Sequence, residues 1–109
     1  MRSPLILALM AAALAAPASA ADPVTMSLTL HNHQFQPGEL DVPAGQRIEL
    51  HVKNADSTPS EFESSQLHRE KIVAAGQEIV VPIGPLTPGR YEFYDDFHRN
   101  TTRGYIVVR

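Results

Sequence analysis

The stretch Tyr91–Val108, YEFYDDFHRNTTRGYIVV, decides the fold. Tyr91 and Phe93 flank Glu92, and Tyr105 and Val107 recur at the same spacing of two. That period belongs to strands with one buried face. The two strands are joined by Asp95-Asp96-Phe97-His98 and then by the wholly polar Arg99-Asn100-Thr101-Thr102. If the first strand stays regular, Asp95 points inward with Tyr91 and Phe93. A buried carboxylate is unfavourable unless it is paired or bound to a cation. The loop therefore reads in two ways. Either the acids cap a turn by accepting from nearby backbone amides, or they join His98 in holding a metal ion.

Outward from this stretch, turn signals recur at Pro37-Gly38, Pro43-Ala44-Gly45, Asn54-Ala55-Asp56-Ser57, Ala75-Gly76, Gly84-Pro85 and Pro88-Gly89. Between them lie short alternating runs: Val24, Met26, Leu28 and Leu30; Ile48, Leu50 and Val52; Ile79, Val81 and Ile83. Short strands punctuated in this way predict an all-β, antiparallel sandwich or barrel. No segment holds a helical period. Ser64–Val73 reads as loop and short strand.

The first twenty residues read differently. Arg2 precedes an apolar run from Leu5 to Ala16, and Ala18-Ser19-Ala20 is a small-x-small cleavage site. This is the pattern of a secretory signal, residues 1–20, cleaved after Ala20. The apolar run is too short to span a bilayer, so the processed chain is expected not to be membrane-inserted. It is then a single domain, residues 21–109, outside the cytoplasm. That domain has no cysteine, which removes thiolate nucleophiles, Cys-zinc sites and blue copper. The full chain carries a net charge of −3 and no basic run, so nucleic acid is not an expected partner and a cation is.

Other polar residues are weaker ligand candidates. Glu61 and Glu63 flank Phe62; with Phe62 inward both glutamates face outward, as on a solvated strand face. His68 lies among Arg69, Glu70 and Lys71 and reads as surface. His33, in HNHQFQP, is a single imidazole without a carboxylate neighbour in sequence. His51 alternates outward, and Met26 sits on the apolar face. No hydrolase, zincin, P-loop or dinucleotide motif occurs.

Two segments carry a family resemblance. FQPGELDVPAGQRIELHVKN, Phe35–Asn54, resembles the N-terminal signature of the cupredoxin superfamily. PGRYEFYDDFH and RGYIVV resemble its C-terminal strand, loop and strand. The resemblance covers residues 26–108 and implies a Greek-key β-sandwich. PSEFES and YDDFH resemble, more narrowly, the small exported proteins related to the cupredoxin domain of EfeO, a group associated with bacterial iron uptake through ferrous-iron permeases. In ordinary cupredoxins the strand ending at Tyr94 leads into a ligand cysteine; here Asp95 stands there. The upstream ligand histidine falls near Ser60, and no methionine occupies the downstream loop. A type 1 copper site is excluded.

The resemblance instead implies an oxygen and nitrogen site for copper or iron at one end of the sandwich. It would be built from His98 and Asp96, with Asp95, Glu61 and Glu63 nearby and His68 and His33 as weaker additions. It further implies a periplasmic protein working with an inner-membrane iron permease and other periplasmic iron-uptake proteins. A metal-free adaptor and a ferroxidase are the alternatives.

Overall fold

The computed structural model describes residues 2–4 and 21–109. The expected signal segment otherwise lies outside the described residues. The chain forms β1 (Val24–His31), β2 (Gln34–Gln36), β3 (Glu39–Val42), β4 (Ile48–Asn54), β5 (Ser60–Ser64), β6 (Arg69–Val73), β7 (Glu78–Ile83), β8 (Gly89–Asp95) and β9 (Arg103–Val108). A 3-10 turn, Asp96–His98, follows β8 directly. The strands make two facing sheets, in the orders β2-β1-β4-β7 and β3-β9-β8-β5-β6. The all-β sandwich is therefore as expected, and Ser64–Val73 holds a turn followed by the short strand β6.

Two details correct the sequence reading. The sheets are mixed, because β1 pairs with β4 and β3 with β9 in parallel. Alternation reports which face is buried and not which way the neighbouring strand runs. The parity of β9 is also reversed. Ile106 and Val108 are buried, while Tyr105 and Val107 are only half-buried. Both parities of RGYIVV are apolar, so packing decides. Gly104 lies opposite Phe93, and a Cβ there would collide with the Phe93 ring. Placing the glycine inward lets Phe93 fill the core.

The core is one cluster of aliphatic and aromatic side chains. Leu28, Leu30, Leu50, Val52 and Ile106 are buried between the sheets. Phe35, Phe62 and Phe93 pack with ring centroids 4.9 to 6.5 Å apart. Edge-to-face contacts of this kind add to area burial. The two edges β6 and β7 are tied by side chains: Arg69 Nε donates to the Pro82 carbonyl at 2.8 Å and Lys71 Nζ to the Val80 carbonyl at 3.4 Å. These bonds occupy carbonyls that an open edge would otherwise leave unpaired. Among the described residues no helix is long and apolar enough to cross a membrane.

Candidate metal centre

Strand β5 sets the first half of the site. Its residues alternate strictly: Ser60, Phe62 and Ser64 are buried, and Glu61 and Glu63 face the outer side of the sheet. This is the outward placement expected from parity. Across the sheet, Glu63 sits opposite Glu70 of β6 and opposite Tyr94 of β8. The outer face thus gathers acids where like charges oppose one another.

The 3-10 turn completes it. It leaves β8 at Asp95 and carries Asp96 over to β5. One carboxylate oxygen each of Glu61, Glu63 and Asp96 lies within 4.8 Å of the others. Partial burial, followed by repulsion from Glu70 and Asp96, pushes the Glu61 carboxyl above its ordinary value. Glu63 moves the same way, by partial burial and then by Asp96 and Glu70, against a smaller opposing pull from Arg99. Such a triad is short of positive charge.

Asp95 has the opposite environment. It is fully buried on the inner face, as its parity required. Burial raises the pKa of its carboxyl, yet the hydrogen bonds to it prevail and hold the pKa below the ordinary value. Oδ1 accepts from the backbone amides of Glu61 and Phe97, both at 3.0 Å, and so caps the 3-10 turn. Oδ2 meets His98 Nδ1 at 3.0 Å. The Ser60 hydroxyl also favours the charged form, although Ser60 Oγ makes no well-aligned hydrogen bond. The turn-cap reading of Asp95 is the one that the hydrogen bonds describe.

His98 therefore turns back toward Asp95 while Asp96 turns away to the glutamates. The seven residues singled out from the sequence fall into separate groups. Glu61, Glu63 and Asp96 form one. Asp95 and His98 form another, with the His33 ring tilted by 39° against that of His98 at a centroid distance of 4.3 Å. His68 joins neither. It lies exposed in the turn between β5 and β6, at the end of β5 remote from the 3-10 turn.

The blue-copper donor set does not fit this chain. The cysteine position is an aspartate whose oxygens are already engaged by two amides and an imidazole. Ser60, at the upstream histidine position, is buried and offers no imidazole.

Three supporting residues are not among those seven candidates. Glu70 adds charge to the triad through the β5–β6 register. Asp56 accepts from the amides of Asn32 and His33 at 2.7 and 2.9 Å. Thr102, fully buried, donates Oγ1 to the His33 carbonyl at 2.7 Å and its amide to the His98 carbonyl at 3.0 Å. Only Asp56 had a visible signal, as part of the Asx-rich turn Asn54–Ser57.

Comparison with known proteins agrees with this architecture. An uncharacterized protein of Rickettsia prowazekii (strain Madrid E), RP394, is 45% identical over 83 residues, covering 76% of this chain. The chain spans 66% of that relative's length. The metal-binding domain of the Cu(I)-exporting P-type ATPase CopA of Streptococcus pneumoniae D39 superposes with a TM-score of 0.72 at 16% identity, over 84% of this chain and 91% of that domain. Auracyanin A, a blue copper protein of Chloroflexus aurantiacus, superposes with a TM-score of 0.69 at 16% identity, over 81% of this chain and all (100%) of that one. At these identities the two structures show the shared fold. The family model described as a cupredoxin-like domain matches residues 4–108, and the chain belongs to that family.

Proposed function

We propose that this is an exported, periplasmic iron-binding protein that serves a ferrous-iron permease system, with Glu61, Glu63 and Asp96 as the ion's ligands. The convergence of these three carboxylates carries the reading. A bound cation would relieve the repulsion that, after partial burial, raises the pKa values of both glutamates. Neighbouring oxygens on a single ion lie about 3 Å apart at metal–oxygen distances of about 2.0–2.2 Å. The three oxygens lie within 4.8 Å of one another, so binding would draw them closer together. An all-oxygen set matches hard cations, and the missing cysteine removes the soft donor on which blue copper depends. Iron is thus cargo held by surface carboxylates. The resemblance of PSEFES and YDDFH to the EfeO-related proteins points to the same role.

The test is calorimetric titration of the protein with Fe(II) and Fe(III), beside Cu(II), Zn(II) and Mn(II). Stoichiometric iron binding should be lost in Glu61→Gln, Glu63→Gln and Asp96→Asn. Iron binding that persists in all three variants places the ion elsewhere and ends this assignment. A second reading, a protein-docking face, draws on the surroundings of the triad. Ile72, opposite Glu61 on β6, is 57% exposed and Phe97 is 48% exposed. Partner binding without iron uptake would select it.

A further inference from the structure

We propose that a cleft beside the edge of β7 binds a small organic anion, an acid with a flat apolar body such as an aromatic carboxylate. The cleft lies where β4 begins and β7 ends, and Arg69 reaches it from β6. Its volume is about 270 Å³. Pockets for small ligands begin at about 300 Å³, so this one suits a single ring. Ile48, Val80, Pro82 and Ile83 supply apolar wall, and Arg47 and Arg69 supply the charge. Arg69 pairs with Ser64, at the end of β5 remote from the 3-10 turn. The cleft is therefore separate from the carboxylate triad.

The two guanidiniums lack counter-charges. Among the described residues neither forms an ion pair, although the chain as a whole carries a net charge of −3. Glu49 also lines the cleft, but its carboxylate is bonded to His51 Nε2 at 3.1 Å. Arg69 is held in place by backbone carbonyls. Nε donates to Pro82 at 2.8 Å, and Nη1 to Leu67 and His68 at 3.4 and 3.1 Å. A guanidinium has five hydrogens, so both of those on Nη2 stay available. Arg47 spends only Nη2, on the Ala21 carbonyl at 3.0 Å.

Closing the sheet edge does not account for this arrangement. Lys71 caps the Val80 carbonyl with one ammonium donor, and the Pro82 carbonyl needs no more. A guanidinium fixed by three carbonyls has already lost its side-chain freedom, so it binds an anion at little further entropic cost. The apolar wall selects among anions. Ile48 and Ile83 are buried, while Val80 is 38% exposed, an uncovered apolar side chain beside two free cations. An apolar body laid on Val80 would cover it and exclude water from the ion pair, which strengthens the pair.

The test is an NMR titration of the protein with benzoate, beside acetate, which lacks the ring, and benzyl alcohol, which lacks the charge. Benzoate should shift the methyl signals of Ile48, Val80 and Ile83 saturably, and each control should bind at least about tenfold more weakly. Arg47→Gln removes an exposed guanidinium and should weaken benzoate binding about tenfold. Arg69→Lys keeps a donor for the Pro82 carbonyl and should weaken binding by about the same factor. Val80→Asp, at an exposed position, should abolish binding with the fold intact. The Glu61→Gln/Glu63→Gln variant should bind benzoate as the wild type does. Shifts that do not saturate, acetate binding as tight as benzoate binding, or benzoate affinity that survives both Arg47→Gln and Val80→Asp overturns the proposal.

Discussion

Asp95 and Asp96 are the same residue, adjacent in the chain, and the fold treats them oppositely. Asp95 ends on the inner face, without solvent exposure, with three donors around its oxygens. Asp96 ends on the outer face among other carboxylates. One carboxylate is satisfied and its pKa is held low. The other helps to hold two glutamates high. The contrast separates the acid that builds the loop from the acids left free to bind. The strand ends between them: Asp95 keeps the inward parity of β8, and Asp96 opens the 3-10 turn that carries it outward.

The largest expected effect breaks this comparison directly. Asp95→Ala leaves two amides and an imidazole without their buried acceptor, and should destabilise the protein by about 3 kcal/mol. In a domain of this size that is a fall in Tm of roughly 15 °C. Asp96→Ala should stay within about 0.5 kcal/mol of the wild type, because it removes only a repelling charge at the surface. Thermal melts of the two variants decide the matter. Equal losses would mean that both acids are structural and that the triad is no site.

A second, smaller effect tests the sheet that separates the two faces. Gly104→Ala should destabilise by about 2 kcal/mol through overpacking against Phe93. If Phe93 moves to make room, its packing against Phe35 and Phe62 shifts with it, and Phe93→Leu in the same chain should recover part of the loss. An unchanged melt would show that this aromatic cluster is loosely packed.

The same division explains what the sequence disclosed. The inward parity of Asp95 and the outward parity of Glu61 and Glu63 follow from Phe93 and Phe62, and each holds in the structure. Family-like segments at both ends of the domain located the loop. What could not be read was the path of the 3-10 turn. Its three residues send Asp96 outward and bring His98 back, a difference of side-chain direction that no strand period encodes. The meeting of His33 with His98 depends on the β1–β2 turn and on Thr102, so it is a product of tertiary packing. The β9 parity read from Tyr105 and Val107 is the wrong one, because both faces of that strand are apolar and an inward glycine decides it.

The smallest effect sharpens the comparison through pH. In the metal-free protein the folded-state pKa values of Glu61 and Glu63 lie above their ordinary value of 4.5. Their ionisation therefore opposes folding, and the opposition is relieved as pH falls through the raised values toward 4.5. Asp95 runs the other way. Its folded pKa lies below 3.8, so its contribution is complete above 3.8 and is lost as pH falls through the folded value. Asp56, also held below 3.8, adds to that loss with the same sign. Burial raises the Asp56 pKa, and the amides of His33 and Asn32 more than offset it. Melting temperature measured from neutral to acid should rise slightly and then drop. The Glu61→Gln/Glu63→Gln variant should lose the rise, melt a little higher at neutral pH and keep the drop. Asp95→Asn should keep the rise and blunt the drop. A rise that survives the double glutamine variant would assign the repulsion to other acids and leave the outer carboxylates as ordinary solvated charge.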